Sequence, residues 1–217
     1  MEKLHVLYED NHLIAVHKPG GILVQGDISR EPSLMDMAKD YIKKKYNKPG
    51  KVFVGLVHRL DRPVSGVVLF ARTSKSASRL SKQWRKRSIT KIYWALVHGK
   101  MKSPSGSLRS YLERRGKGVS LVGGKEQGSQ EAVLSYKTLA VGRNLSLLEI
   151  NLHTGRKHQI RAQLGAEGCP IVGDVKYGAP VRCKDGKIRL LAKSLTFMHP
   201  TRPETIHIEA PRPDWAL

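Results

Sequence analysis

The sequence predicts a single α+β domain over residues 1–217, built on a mixed, mostly antiparallel sheet. Three observations lead there. Nine short apolar or alternating runs recur along the chain, most of them bounded by Gly, Pro, Asn or Asp, the punctuation of strands. Three segments interrupt them with helical spacing. Charge and patterning then continue from one end to the other without an internal repeat or a low-complexity tract.

In chain order, HVLYE (5–9) and LIAVHK (13–18) read as the first strands. A helix follows at PSLMD, where Ser33 is a good N-cap, Asp36 completes a capping box, and Leu34, Ala38, Tyr41 and Ile42 share a face. It is expected to end by Asn47, before Pro49 and Gly50. VFVGLVH (52–58) and GVVLFA (66–71) are the next strands, and a second helix is expected from about Ser74 to Lys86. There Lys75, Arg79, Lys82 and Lys86 fall on one stripe, with Ala77, Leu80 and Trp84 on the far side. IYWALV (92–97), AVLSYKTLAV (132–141) and LSLLEINL (145–152) continue the sheet, the last two joined by VGRN as a hairpin. The glycine-rich stretch from Arg114 to Gln130 reads as a mobile loop, either an RNA-contacting flap or an idle surface. A short third helix is expected over HQIRAQLGAEG (158–168), then strands IRLLAKSLTF (188–197) and TIHIEA (205–210).

Charge bounds the function. Lys and Arg number 39 against 18 Asp and Glu, a formal net charge of +21. An excess of this size speaks about partners, and the commonest intracellular polyanion is nucleic acid. A membrane surface fits less well, because no sustained basic amphipathic helix with a broad aromatic face and no lipidation signal is present. No apolar run is long enough for a signal peptide or a membrane span, so a cytoplasmic protein is expected. Cys169 and Cys183 form no CxxC, and the nine histidines lack ligand spacing; free thiols and no metal are expected. Walker loop, GxGxxG and HEXXH are all missing, which leaves nucleotide hydrolysis, dinucleotide redox chemistry and zinc proteolysis without support.

Within this basic chain one carboxylate stands out. From Tyr41 to Leu112 the only acid is Asp61, in LVHRLDRPVSG, against eighteen Lys and Arg. A turn cap would explain an Asp in Asp-Arg-Pro, yet Ser, Thr or Asn would cap a phosphate-facing turn without repelling phosphate. A catalytic Asp must stay ionised, and burial works against that unless a guanidinium is adjacent. Arg59 and an arginine of HTGRKHQIR are the candidates: Arg156, Lys157 and His158 lie near a positive helix end, and Arg161 sits in the first turn. Arg161 has the alternative of being an ordinary exposed helix arginine. Tyr93 and Trp94 face opposite sides of one strand, and an aromatic beside a basic cleft suits stacking on an extruded base as well as it suits a half-buried sheet. A hydrolytic glycosidase needs two carboxylates; near Asp61 the sequence offers no second acid, and the nearest candidate of interest is Asp174 in VGDVKYG, where Gly-Asp is also an ordinary turn.

Taken together these elements resemble the RNA pseudouridine synthases of the ribosomal large-subunit synthase A (RluA) type. AVHKPGGILV looks like that family's opening element, HRLDRPVSGVVLFA its catalytic element, and KIYWALVHG its tyrosine strand. LHTGRKHQIRAQL and the pair VGDVKYG and LLAKSLTFMHP complete the set in order. The resemblance implies the pseudouridine synthase fold, a long bent sheet flanked by helices and loops with a central RNA-binding cleft. It also implies conversion of uridine to pseudouridine in tRNA or ribosomal RNA stem-loops with no cofactor. By the same resemblance Asp61 is the essential aspartate, Tyr93 packs against the base, Arg161 partners the Asp61 carboxylate, and Arg59 takes the place of the flipped nucleotide. Val64, His17, Gln25 and Gln163 depart from the usual pattern without removing a catalytic side chain. An S4-type RNA-binding domain is not expected, so RNA contact falls to the domain itself, including Lys75, Arg79, Lys82, Lys86, Arg156, Lys157 and His158, and a monomer is expected. A basic RNA-binding factor with a degenerate enzyme fold is the competing reading, and a glycosylase that releases free base a third.

Overall fold

The computed structural model describes residues 4–28, 31–116 and 118–217. Among them run eleven strands, β1 (His5–Glu9), β2 (Leu13–Lys18), β3 (Gly55–Leu56), β4 (Ser65–Ala71), β5 (Thr90–His98), β6 (Ser105–Arg115), β7 (Gly118–Val122), β8 (Gln130–Val141), β9 (Leu145–Leu152), β10 (Leu190–Met198) and β11 (Thr205–Glu209). The helices are α1 (Leu34–Lys45), α2 (Ser74–Arg85) and α3 (Gln159–Ala166), with a 3₁₀ turn at Val175–Tyr177. The α+β class expected from the sequence is the one observed.

The chain forms two units. The first comprises Met1–Ile89 and Ala192–Pro211. Its sheet order is β1-β2-β4-β10, with β11 paired to β10 and β3 to β4. Leu13 to Val16 and Val67 to Ala71 are completely buried, which is why β2 and β4 read as near-continuous apolar runs rather than as alternation. They pair antiparallel with Lys18 opposite Gly66, so the end of β2 adjoins the segment that enters β4. Gly66 is obligatory: at φ 122° it sits in glycine's region, and a Cβ there would lie 2.2 Å from the Ala192 carbonyl oxygen. α1 carries the expected capping box, Ser33 Oγ accepting from the Asp36 N–H while Asp36 accepts from Ser33. α2 is capped by Thr73 and buries Ser76 and Leu80.

The second unit comprises Thr90–Leu191 and Arg212–Leu217, with strand order β5-β9-β8-β6-β7, every one of these pairs antiparallel. The expected VGRN hairpin joins β8 to β9, closed by the Gly142 N–H on the Leu145 carbonyl at 2.8 Å.

Two expectations need correction. VFVGLVH (52–58) contributes only the two residues of β3. Arg114 to Gln130 is not one long loop: Arg114 and Arg115 end β6, and Gly118–Val122 form β7, so much of it is an antiparallel ribbon with Arg115 opposite Gly118. Leu112 and Gly118 are the only buried residues described in these two strands, and strands with so little buried surface lack the alternation by which strands are recognised.

Candidate active site

Asp61 lies in a tight turn of the first unit, where its carbonyl accepts the Val64 N–H at 3.1 Å. The turn is held by an unexpected residue. Lys18, at the end of β2, is 0% exposed, and its Nζ donates to the carbonyls of Pro19 (3.0 Å), Ile22 (2.8 Å) and Arg62 (3.0 Å). The Gly21 N–H reaches the same Arg62 carbonyl at 2.7 Å, and Arg62 Nε returns a bond to the Gly21 carbonyl at 2.8 Å. One ammonium thus ties the 19–22 turn to the turn that carries Asp61. Burial pulls Lys18 down to about 7; the Asp61 charge pushes back, and Arg62 adds to the lowering. Sequence reading missed Lys18, because HKPGG announces a turn but not the depth of its lysine.

Around this turn, Arg59 is exposed and Asp61 half-buried. His58 Nε2 accepts the Leu69 N–H at 2.9 Å, so its proton is on Nδ1, and its ring stacks on Trp84 of α2 at 4.6 Å. α2 is thereby keyed to the strand entry that follows Asp61. Its basic stripe is exposed at Lys75, Arg79, Lys82 and Lys86, with Arg79 Nη1 bonded to the Pro200 carbonyl at 2.7 Å.

In the second unit, Tyr93 on β5 stands opposite Ile150 of β9, and Trp94 opposite Glu149, whose Oε2 accepts from the indole N–H at 3.3 Å. The two aromatics face opposite sides of the sheet, as expected.

Arg161 is not the exposed helix arginine of the alternative reading; it is 6% exposed. Asp174, 2% exposed, binds it in bidentate fashion, Nε to Oδ2 at 2.7 Å and Nη2 to Oδ1 at 2.9 Å. The role of Asp174 was missed because Gly-Asp reads as a turn, which it also is: its carbonyl accepts the Tyr177 and Ala179 N–H groups. Of the remaining residues, His158 is the α3 N-cap in a left-handed conformation, Arg156 Nε bonds to the Glu131 carbonyl at 2.9 Å, and Lys157 is exposed. Among the described residues no group of three or more His, Cys, Asp or Glu could hold a metal ion, and no helix is long and apolar enough to cross a membrane.

Comparison with known proteins defines the class. Human RNA pseudouridylate synthase domain containing 4 superimposes with a TM-score of 0.83 at 24% identity, covering 97% of this chain and 89% of that one. Human RNA pseudouridylate synthase domain containing 1 gives 0.74 at 23% identity, with 97% and 84% covered. At such identities the likeness is one of fold: a pseudouridine synthase fold. The family model for RNA pseudouridylate synthase matches residues 12–166. The ribosomal large subunit pseudouridine synthase C of Rickettsia felis is 36% identical over 176 residues, 80% of this chain and 56% of that protein. The RNA pseudouridine synthase YhcT of Bacillus subtilis is 32% identical over 214 residues, 97% of this chain and 69% of that protein. The chain belongs to the RNA pseudouridine synthase family. It spans little more than half the length of the Rickettsia relative.

Proposed function

We propose that the chain isomerises uridine to pseudouridine in a structured stem-loop of large-subunit ribosomal RNA, with tRNA as the alternative substrate. In this reading it acts as a cytoplasmic, monomeric, single-domain catalyst of the synthase A type without a cofactor. The observation that carries the reading is Asp61, the only acid between Tyr41 and Leu112, held in a turn that a buried lysine fixes. The names of the similar ribosomal synthases support ribosomal RNA.

The reaction breaks the N1–C1′ bond, turns the uracil within the site and joins C5 to C1′. Asp61 acts as the ionised carboxylate, attacking the substrate or removing the 2′ proton; either role needs the charge that a guanidinium maintains. Arg161 supplies that guanidinium and Asp174 holds its fork in place. Tyr93 packs against the base and assists proton removal from C5, while Arg59 fills the space left by the flipped nucleotide. Because the base never leaves, no second acid is needed to expel it, unlike glycoside hydrolysis. The α2 stripe with Arg156, Lys157 and His158 contacts phosphate.

Mapping pseudouridines in RNA from cells that carry the gene, lack it, or carry Asp61→Asn tests this. The site present with wild type is expected to vanish in the other two, while purified Asp61→Asn binds RNA within about threefold of wild type, since one charge among many shifts binding little. A wild type that forms no pseudouridine would leave the RNA-binding reading standing, and abasic RNA would indicate a glycosylase.

A further inference from the structure

Beside the Arg161–Asp174 pair, one side chain makes three unlike contacts. The ring of Tyr177 lies 5.1 Å from Arg161 Cζ, within reach of attraction between a desolvated cation and an aromatic face. Its hydroxyl accepts the Val119 backbone N–H at 3.3 Å and lies 2.7 Å from His158 Nδ1.

The surroundings are cut to receive this residue. A Cβ on Gly165 would stand 2.5 Å from the Tyr177 carbonyl oxygen, so α3 can approach the 3₁₀ turn only without a side chain there. Leu112 of β6, Ala132 of β8 and Ala162 of α3 form a small core, and Val119 and Tyr177 pack against it. Tyr177 therefore touches the β6–β7 ribbon with its hydroxyl and the buried arginine with its ring.

The ribbon has the charge to meet RNA. Residues 105–129 contain five Lys and Arg and two Glu, a net of 5 − 2 = +3. Arg114, Arg115 and Lys125 are exposed, although Arg115 also pairs with Glu113 at 3.0 Å. An exposed antiparallel ribbon of this sign can follow a phosphate backbone.

We propose that Tyr177 is a positioning residue through which the β6–β7 ribbon, on engaging RNA, sets the orientation of Arg161. The proposal rests on the pseudouridine synthase reading above. The phenol serves the ribbon and the ring serves the arginine, so two substitutions separate them: Tyr177→Phe keeps the ring, and Tyr177→Leu removes both.

The whole chain is assayed on a transcript of the modified stem-loop. Tyr177→Phe is expected to lower kcat about fivefold with KM within twofold, and to speed amide exchange at Val119 about fivefold, the scale of one hydrogen bond. Tyr177→Leu is expected to lower kcat about fivefold in addition, the scale of a cation–aromatic contact. In NMR spectra the Arg161 Nε–H signal of the wild type moves on RNA addition, and in Tyr177→Phe it moves less. Unchanged kcat and Val119 exchange in Tyr177→Phe, a kcat in a folded Tyr177→Leu no lower than in Tyr177→Phe, or an equal Arg161 response in wild type and Tyr177→Phe overturns the proposal. If the wild type makes no pseudouridine, the functional reading fails on its own, while Val119 exchange and the Arg161 signal with bound RNA still decide whether Tyr177 links ribbon to arginine.

Discussion

The segments that carry Asp61 and Arg161 are fixed by opposite means. Around Asp61, a single buried ammonium gathers main-chain carbonyls from two turns, so backbone is held by one side chain. Around Arg161, side chains hold one another: Asp174 grips the guanidinium, Tyr177 lies against it, and His158 bonds to the Tyr177 hydroxyl. The first arrangement depends on a proton that burial has loosened; the second depends on every partner being present. When its ammonium titrates, the Lys18 amine keeps two N–H donors for the carbonyls and sheds a buried charge, whereas a buried ion pair that loses one member leaves an uncompensated charge.

That contrast can be broken most sharply at Asp174. Replacing it with Asn keeps the shape and removes one carboxylate charge from a buried, bidentate ion pair, so urea unfolding is expected to show a loss of about 3–5 kcal/mol. A loss under 1 kcal/mol would mean that the second segment is as tolerant as the first. Lys18 is the next test. Its pKa is lowered in the folded state, so between about 7 and the ordinary lysine value the unfolded chain binds more protons, and stability rises with pH across that window. Relative to Lys18→Met, the wild type is expected to gain about 2–4 kcal/mol between pH 7 and 9.5. A parallel pH dependence of the two proteins would show that Lys18 titrates normally. The smallest effect is expected at α2. Reversing the charge of Lys75, Arg79, Lys82 and Lys86 should flatten the salt dependence of RNA binding by up to about 0.7–0.9 in log–log slope for each lost phosphate contact. An unchanged slope would return the stripe to an ordinary solvated face; Arg79, already bonded to the Pro200 carbonyl, is the member whose contribution is expected to be least.

Legibility in the sequence followed burial. β2 and β4 were readable because their residues are buried in succession, and α1 because Ser33 and Asp36 write its start into four residues. β6 and β7 were not, because Leu112 and Gly118 are the only residues with described side-chain environments in those two strands that are buried. The candidate site divides the same way. Asp61 stood out by charge against its own neighbours, which is a local signal. Arg161 was singled out through the family resemblance and not by its own pattern, since helical spacing says which residues share a face but not what covers that face.

The sequence by itself determined the family, the three helices and the buried strands, the basic character of the chain and the singular position of Asp61, all of which are written in short-range pattern and composition. Only the tertiary structure decided that Lys18 is buried among carbonyls, that Asp174 grips Arg161 from thirteen residues away, and that Val119 meets Tyr177 across fifty-eight. The physical reason is that burial and pairing belong to the packed chain: a lysine, an aspartate and a tyrosine acquire these roles from residues that local periodicity does not place beside them.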